Sequence, residues 1–140
     1  MAVQAPGALR RFAELFNQGR YWHAHEALEQ AWRVGRSRFY QGLIIYASAF
    51  VHAQRGNPRG VELQLQKVPA YLEPYRPSYL GVDVQAVLEH AARVLEHVRA
   101  SGSRDVHTWR QAWIWPHLPV DDAKVRGDEP ELTLPSQSAG

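Results

Sequence analysis

Between Tyr21 and Trp32 the chain sets His25 four residues before Glu29 and surrounds the pair with Tyr21, Trp22 and Trp32. On a helix turning about 100° per residue, and measured from His25, Trp32 falls at about −20°, Tyr21 at about −40°, Glu29 at about +40° and Trp22 at about +60°. One face then carries three aromatic rings, an imidazole and a carboxylate. An ionised carboxylate buried without a partner costs several kcal/mol, so Glu29 must find a donor, reach water or take a proton. Glu26, about 100° from His25, lies nearer the edge of this face. Imidazole and carboxylate together suit a divalent metal such as Zn, Fe or Mn, or general acid–base work in which Glu29 orients His25.

These side chains need elements to hold them, and hydrophobic spacing and stop signals supply five helices. Residues 8–18 form the first, with Leu9, Phe12, Ala13, Leu15 and Phe16 at helical spacing and Gly19 as its stop. The second runs over 21–34 and ends at Gly35. Ser37 caps a third, reaching about Arg55 before Gly56, and Asn57 followed by Pro58 opens a fourth. The fourth passes through Val61, Leu65 and Val68, with Pro69 kinking or ending it near Tyr71 and Leu72. Asp83 caps a fifth, patterned by Val84, Val87, Leu88, Ala91, Val94, Leu95 and Val98. The fold class is therefore all-α, a bundle of antiparallel hairpins with short Gly-stopped loops. Residues 1–119 are expected to form one helical domain, onto which the Trp109, Trp113 and Trp115 segment packs back, and 120–140 a polar, mobile tail.

The short Gly35–Ser37 loop makes helices two and three antiparallel. Counting outward from it sets Ser48 level with His25, His52 about one turn beyond, and Gln41 level with Glu29. Side chains lean toward their own helix N-terminus, so His25 and His52 tilt toward each other. The expected polar cluster is Tyr21, Trp22, His25, Glu29, Trp32, Gln41, Ser48 and His52. Its candidate metal ligands are His25, Glu29 and His52, with Glu26 as the base of a metal-assisted hydrolysis. Helix packing alone also gathers such groups, and a hydrogen-bonded cluster that fixes helix register is the plainer reading. No cofactor is dictated; a divalent metal is the one this trio would suit.

Composition narrows the rest. The chain has 140 residues and no cysteine, which removes disulfides and thiolate chemistry and fits a reducing cytoplasm. The longest apolar run, Leu43 to Val51, is far short of the ~20 residues a membrane span needs, and the first residues lack a secretory pattern. Soluble and cytoplasmic is the expectation. Arg33, Arg36 and Arg38 gather at one end of the hairpin, and Arg20, Arg55 and Arg59 at the other. They could clamp phosphate or nucleic acid, but helix C-termini and solvated loops explain them more simply, so nucleic acid is not the favoured partner. His90, His97, His107 and His117 read as surface or helix-end residues. Zinc-protease H-E-x-x-H, E-x-x-H, P-loop, dinucleotide and serine-elbow motifs are all missing. A homo-oligomer is compatible with the sequence.

Phe16-Asn17-x-Gly19-x-Tyr21-Trp22-x-Ala24-His25-Glu26-x-Leu28-Glu29-x-x-Trp32, then Phe39-Tyr40-Gln41-Gly42-Leu43-Ile44 and His52-x-x-Arg55-Gly56-Asn57, resembles the family catalogued as domain of unknown function 309. The likeness spans about residues 10–75. It implies a small all-helical domain and points to His25, Glu26, Glu29, Gln41 and His52. It implies no activity. The sequence thus describes a helical protein of unassigned function whose His/Glu cluster is structural or a small-ligand site, with metal-dependent hydrolysis and anion or nucleic-acid binding as alternatives.

Overall fold

The computed structural model describes residues 7–101, 111–118 and 120–121. Its long elements follow the stop signals in the sequence. Helix α1 spans Gly7–Asn17, α2 Tyr21–Gly35, α3 Arg38–Gln54, α4 Pro58–Leu65, α5 Val68–Leu72 and α6 Val84–Ala100. Three N-caps are made as expected: Ser37 Oγ accepts from Tyr40 N at 3.2 Å, Asn57 Oδ1 from Gly60 N at 3.1 Å, and Asp83 Oδ1 from Ala86 N at 2.9 Å. The turns after α1 and α3 use Gly19 (φ 78°) and Gly56 (φ 67°), a conformation that costs other residues a Cβ clash.

Two local expectations fail. Gly35 is the last residue of α2, and the left-handed position that closes the helix falls on Arg36 (φ 57°), whose N–H donates to Trp32 O. The fourth helix breaks at Gln66 and Lys67, so Pro69 sits in the first turn of α5, where its missing N–H costs nothing, instead of kinking α4.

Helix α3 is the axis of the bundle. It packs against α2, α4 and α5, and α1 lies against α2. Phe12, Phe16, Phe39, Leu43, Tyr46, Phe50, Leu65 and Leu72 are buried together in one core. Between Arg38 and His52 the only α3 residues left part-exposed are Arg38, Gln41, Ile45, Ser48 and His52. Their spacing of three and four draws one stripe along the helix.

Residues 111–118 and 120–121 strap the far side. Ile114 and Leu118 are buried, the Trp115 ring stacks on Tyr21 at 6.0 Å, and Asn17 brackets Leu118 by donating to its O and accepting from its N, each at 2.7 Å. Trp113 and Trp115 thus do pack back on the domain. The strap continues into what composition assigned to the tail: Val120 bridges Val82, and Asp121 N donates to Gly81 O. The expectations for Trp109, His107 and the tail from Asp122 onward lie outside the described residues.

Candidate functional site

One turn of α2 separates His25, Glu29 and Arg33, and their side chains form a ladder. His25 Nε2 stands 3.3 Å from Glu29 Oε2, and Arg33 Nη2 donates to Glu29 Oε1 at 2.7 Å. Glu29 is 30% exposed and His25 17%, so a half-buried carboxylate lies against the imidazole. Helical spacing alone produces it, because residues four apart share a face.

Aromatic rings flank the ladder. Trp22 stacks on the His25 ring (centroids 5.2 Å apart, 20° between planes) and has the Arg55 guanidinium 5.6 Å from its centre. Trp32 carries the Arg36 guanidinium 4.6 Å over its ring. Tyr21 turns inward, against Phe16, Phe50 and Trp115, and burial pushes its hydroxyl up to about 12. It belongs to the core, not to the polar cluster.

Among the described residues, His25 Nδ1 and Trp32 Nε1 are both buried and have no hydrogen-bond partner. The indole nitrogen can only donate. With Nε2 facing a carboxylate, His25 Nδ1 accepts in the neutral ring and donates in the charged one. Leaving a buried polar atom unmet costs about 1–3 kcal/mol, so two on one helix face require an explanation.

Helix α3 packs against α2, but the polar groups of its part-exposed stripe look elsewhere. Ser48 Oγ donates to Ile44 O at 2.9 Å, a bond back to its own helix. His52 Nδ1 lies 3.2 Å from Asn57 Nδ2, and its ring packs where a Cβ on Gly60 would stand. Burial, and then the charge of Arg55, lowers the pKa of His52. Gln41 is half-buried, with no bond to Glu29. Two expectations are corrected here. His25, Glu29 and His52 do not assemble as three ligands, since among the described residues no three His, Asp or Glu side chains are grouped to hold a metal ion. His52 is drawn toward α4 by the Asn57 cap. Glu26 is exposed, away from the His25 and Glu29 contact, so it has no metal site to serve as base.

Nor do the arginines form an open clamp. Arg33 pairs with Glu29, Arg36 and Arg55 cover indoles, Arg38 lies 4.6 Å over Tyr71, and Arg59 shares Glu62 with Arg99.

The polar pair that sequence reasoning missed is Tyr46 with His90. Tyr46 Oη is 2.7 Å from His90 Nδ1, and His90 Nε2 is 3.0 Å from Trp113 O. A carbonyl only accepts, so Nε2 carries the hydrogen and Nδ1 takes the Tyr46 O–H. Burial lowers the His90 pKa, against the opposing pull of the Trp113 and Ile114 backbone, and burial raises that of Tyr46 well above its usual value. His90 is thus half-buried against the core, bonded on both ring nitrogens, where a plain surface role was expected. Its position at i+3 from Val87 and i−4 from Val94 on the apolar face of α6 was the available signal.

With this geometry in place, comparison with known proteins adds a match over part of the chain. Residues 9–63 match the family described as Domain of unknown function (DUF309). The matched stretch runs from α1 into α4 and contains His25, Glu29, Trp32 and the whole α3 stripe. No curated protein and no solved structure matches the chain. No helix among the described residues is long and apolar enough to cross a membrane.

Proposed function

We propose that the α2–α3 seam is a recognition site for a small ligand bearing a carboxylate or amide carbonyl, and that the protein works as a binding module. The observation that carries this reading is the buried Trp32 indole N–H, on the same face as His25 Nδ1, neither atom having a hydrogen-bond partner among the described residues. A cluster kept only for stability would meet these atoms, because each costs about 1–3 kcal/mol unmet. A ligand oxygen at Trp32 relieves that cost on binding. His25 answers either a donor or an acceptor, which an amide or a carboxylic acid supplies. The Glu29 and Arg33 ladder holds the imidazole, and the Trp22 ring covers it. The lack of cysteine accords with work in a reducing cytoplasm, and the engaged arginines favour a small ligand over nucleic acid.

Thermal melting with acetate and N-methylacetamide tests the proposal. At about 100 times its dissociation constant a ligand of the folded state adds ~2.7 kcal/mol. The reading expects such a shift for one of the two probes, lost in Trp32→Phe and in His25→Leu. It also expects His25→Leu to melt no lower than the parent without ligand, since an apolar side chain of similar size removes the unmet nitrogen. No shift with either probe, together with a lower melting point for His25→Leu, would make the cluster structural.

A further inference from the structure

We propose that the outward face of α2 pairs with the same face of a second copy of this chain, antiparallel, about a two-fold axis passing near Glu29 and Gln30. The face shares Trp22 and Arg33 with the flank of the seam, but the pairing is argued from exposure and charge order and not from the ligand reading.

Among the described residues, large apolar side chains are exposed at Trp22, Val34 and Leu63, and the first two lie on α2. Trp22 is 46% exposed even with His25 stacked on it. The charges of the same strip are ordered along the helix: Glu26 in its first half, Arg33 and then Arg36 toward its end. Trp22, Glu26 and Arg33 fall within an arc of about 40°, with Val34 about 120° from Trp22 and Arg36 beyond the helix as its left-handed cap.

That order makes the strip complementary to itself in one orientation only. In an isologous contact residue i meets j while j meets i. Run antiparallel, Glu26 opposes Arg33 of the second copy and Arg33 opposes its Glu26. The same register sets the exposed Trp22 beside the end of the second copy's α2. Run parallel, Glu26 would meet Glu26. Glu26 is exposed and has no ion-pair partner among the described residues. Arg33 is 66% exposed and gives one nitrogen to Glu29, so four more N–H groups of its guanidinium remain to be placed. The two Glu29 carboxylates near the axis are each countered by their own Arg33.

Sedimentation of the full chain tests the pairing by charge exchange. The wild type is expected to dimerise with concentration, less tightly as salt is raised. Glu26→Arg and Arg33→Glu, both on exposed positions, should each weaken association by about tenfold or more while leaving the helical melt in place. Mixing these two variants should restore a dimer containing one of each, because both opposed pairs again carry opposite charges. The double variant Glu26→Arg/Arg33→Glu should dimerise with itself for the same reason. A wild type that stays monomeric at every concentration, a dimer untouched by either single change, or single variants that fail to pair when mixed would each overturn the proposal.

Discussion

Tyr46 Oη and His90 Nδ1, 2.7 Å apart, tie the central helix α3 to α6 inside the core, and His90 passes the tie on to the strap through Trp113 O. Tyr46→Phe removes the donor and keeps the ring. It leaves His90 Nδ1 unmet, so we expect a loss of about 1–3 kcal/mol in urea unfolding with an unchanged slope. A neutral effect would mean that the hydroxyl contributes nothing to this junction.

The same histidine sets an acid limit on stability. The folded-state pKa values of His90 and His52 both lie below the 6.5 of the unfolded chain. As pH falls through 6.5 the unfolded chain takes protons that the folded one refuses, so stability is level above that pH and declines below it, until the folded-state pKa values are passed. His90 is packed against Phe50 and Tyr46, whereas His52 lies on the half-exposed stripe. His90→Gln should therefore flatten more of the decline than His52→Gln. Melting curves between pH 7.5 and 5, chosen to bracket the unfolded-chain value, check the order.

How much of this was readable beforehand differs by residue. Gly19, Ser37, Asn57 and Asp83 act on the backbone within three or four residues, so caps and stops fixed the helix ends locally. The His25 and Glu29 pair was legible for the same reason. His52 was not, because level and lean along the hairpin put it near His25, whereas Asn57 and Gly60 on α4, outside that hairpin, decide which way its ring turns. The place of His90 on the apolar face of α6 was legible from the helical period, but its bond to Trp113 O, 23 positions later, was not.

Because His25 and His52 share no partner in the structure, His25→Ala and His52→Ala should add in the double variant to within about 0.5 kcal/mol. Added Zn²⁺ should leave the melting of all three, and of the wild type, in place. A coupling well above that bound, with a Zn²⁺ shift lost in both single variants, would restore the metal reading.

Close packing of α3 predicts that two glycines resist change. A Cβ at Gly42 would stand 2.5 Å from Leu72 Cδ2 and 3.0 Å from Tyr71 Cβ, and one at Gly60 would run into the His52 ring. The helix-propensity gain of Ala over Gly is about 1 kcal/mol, and overpacking costs about 1–3 kcal/mol. Gly42→Ala, pressed against buried Leu72, should lower stability on balance; an increase would show that α5 moves aside freely.

The central claim is that Trp32 Nε1–H awaits an acceptor in the seam. Its indole cross-peak in a ¹H–¹⁵N correlation spectrum, assigned by its loss in Trp32→Phe, reports the hydrogen bond directly. Titration with acetate and with N-methylacetamide should move that peak downfield in a saturable way with one of them, while the Trp113 indole, already bonded to Gln111 Oε1, stays still. A Trp32 peak that does not move with either probe, or that moves no more than that of Trp113, would contradict the account.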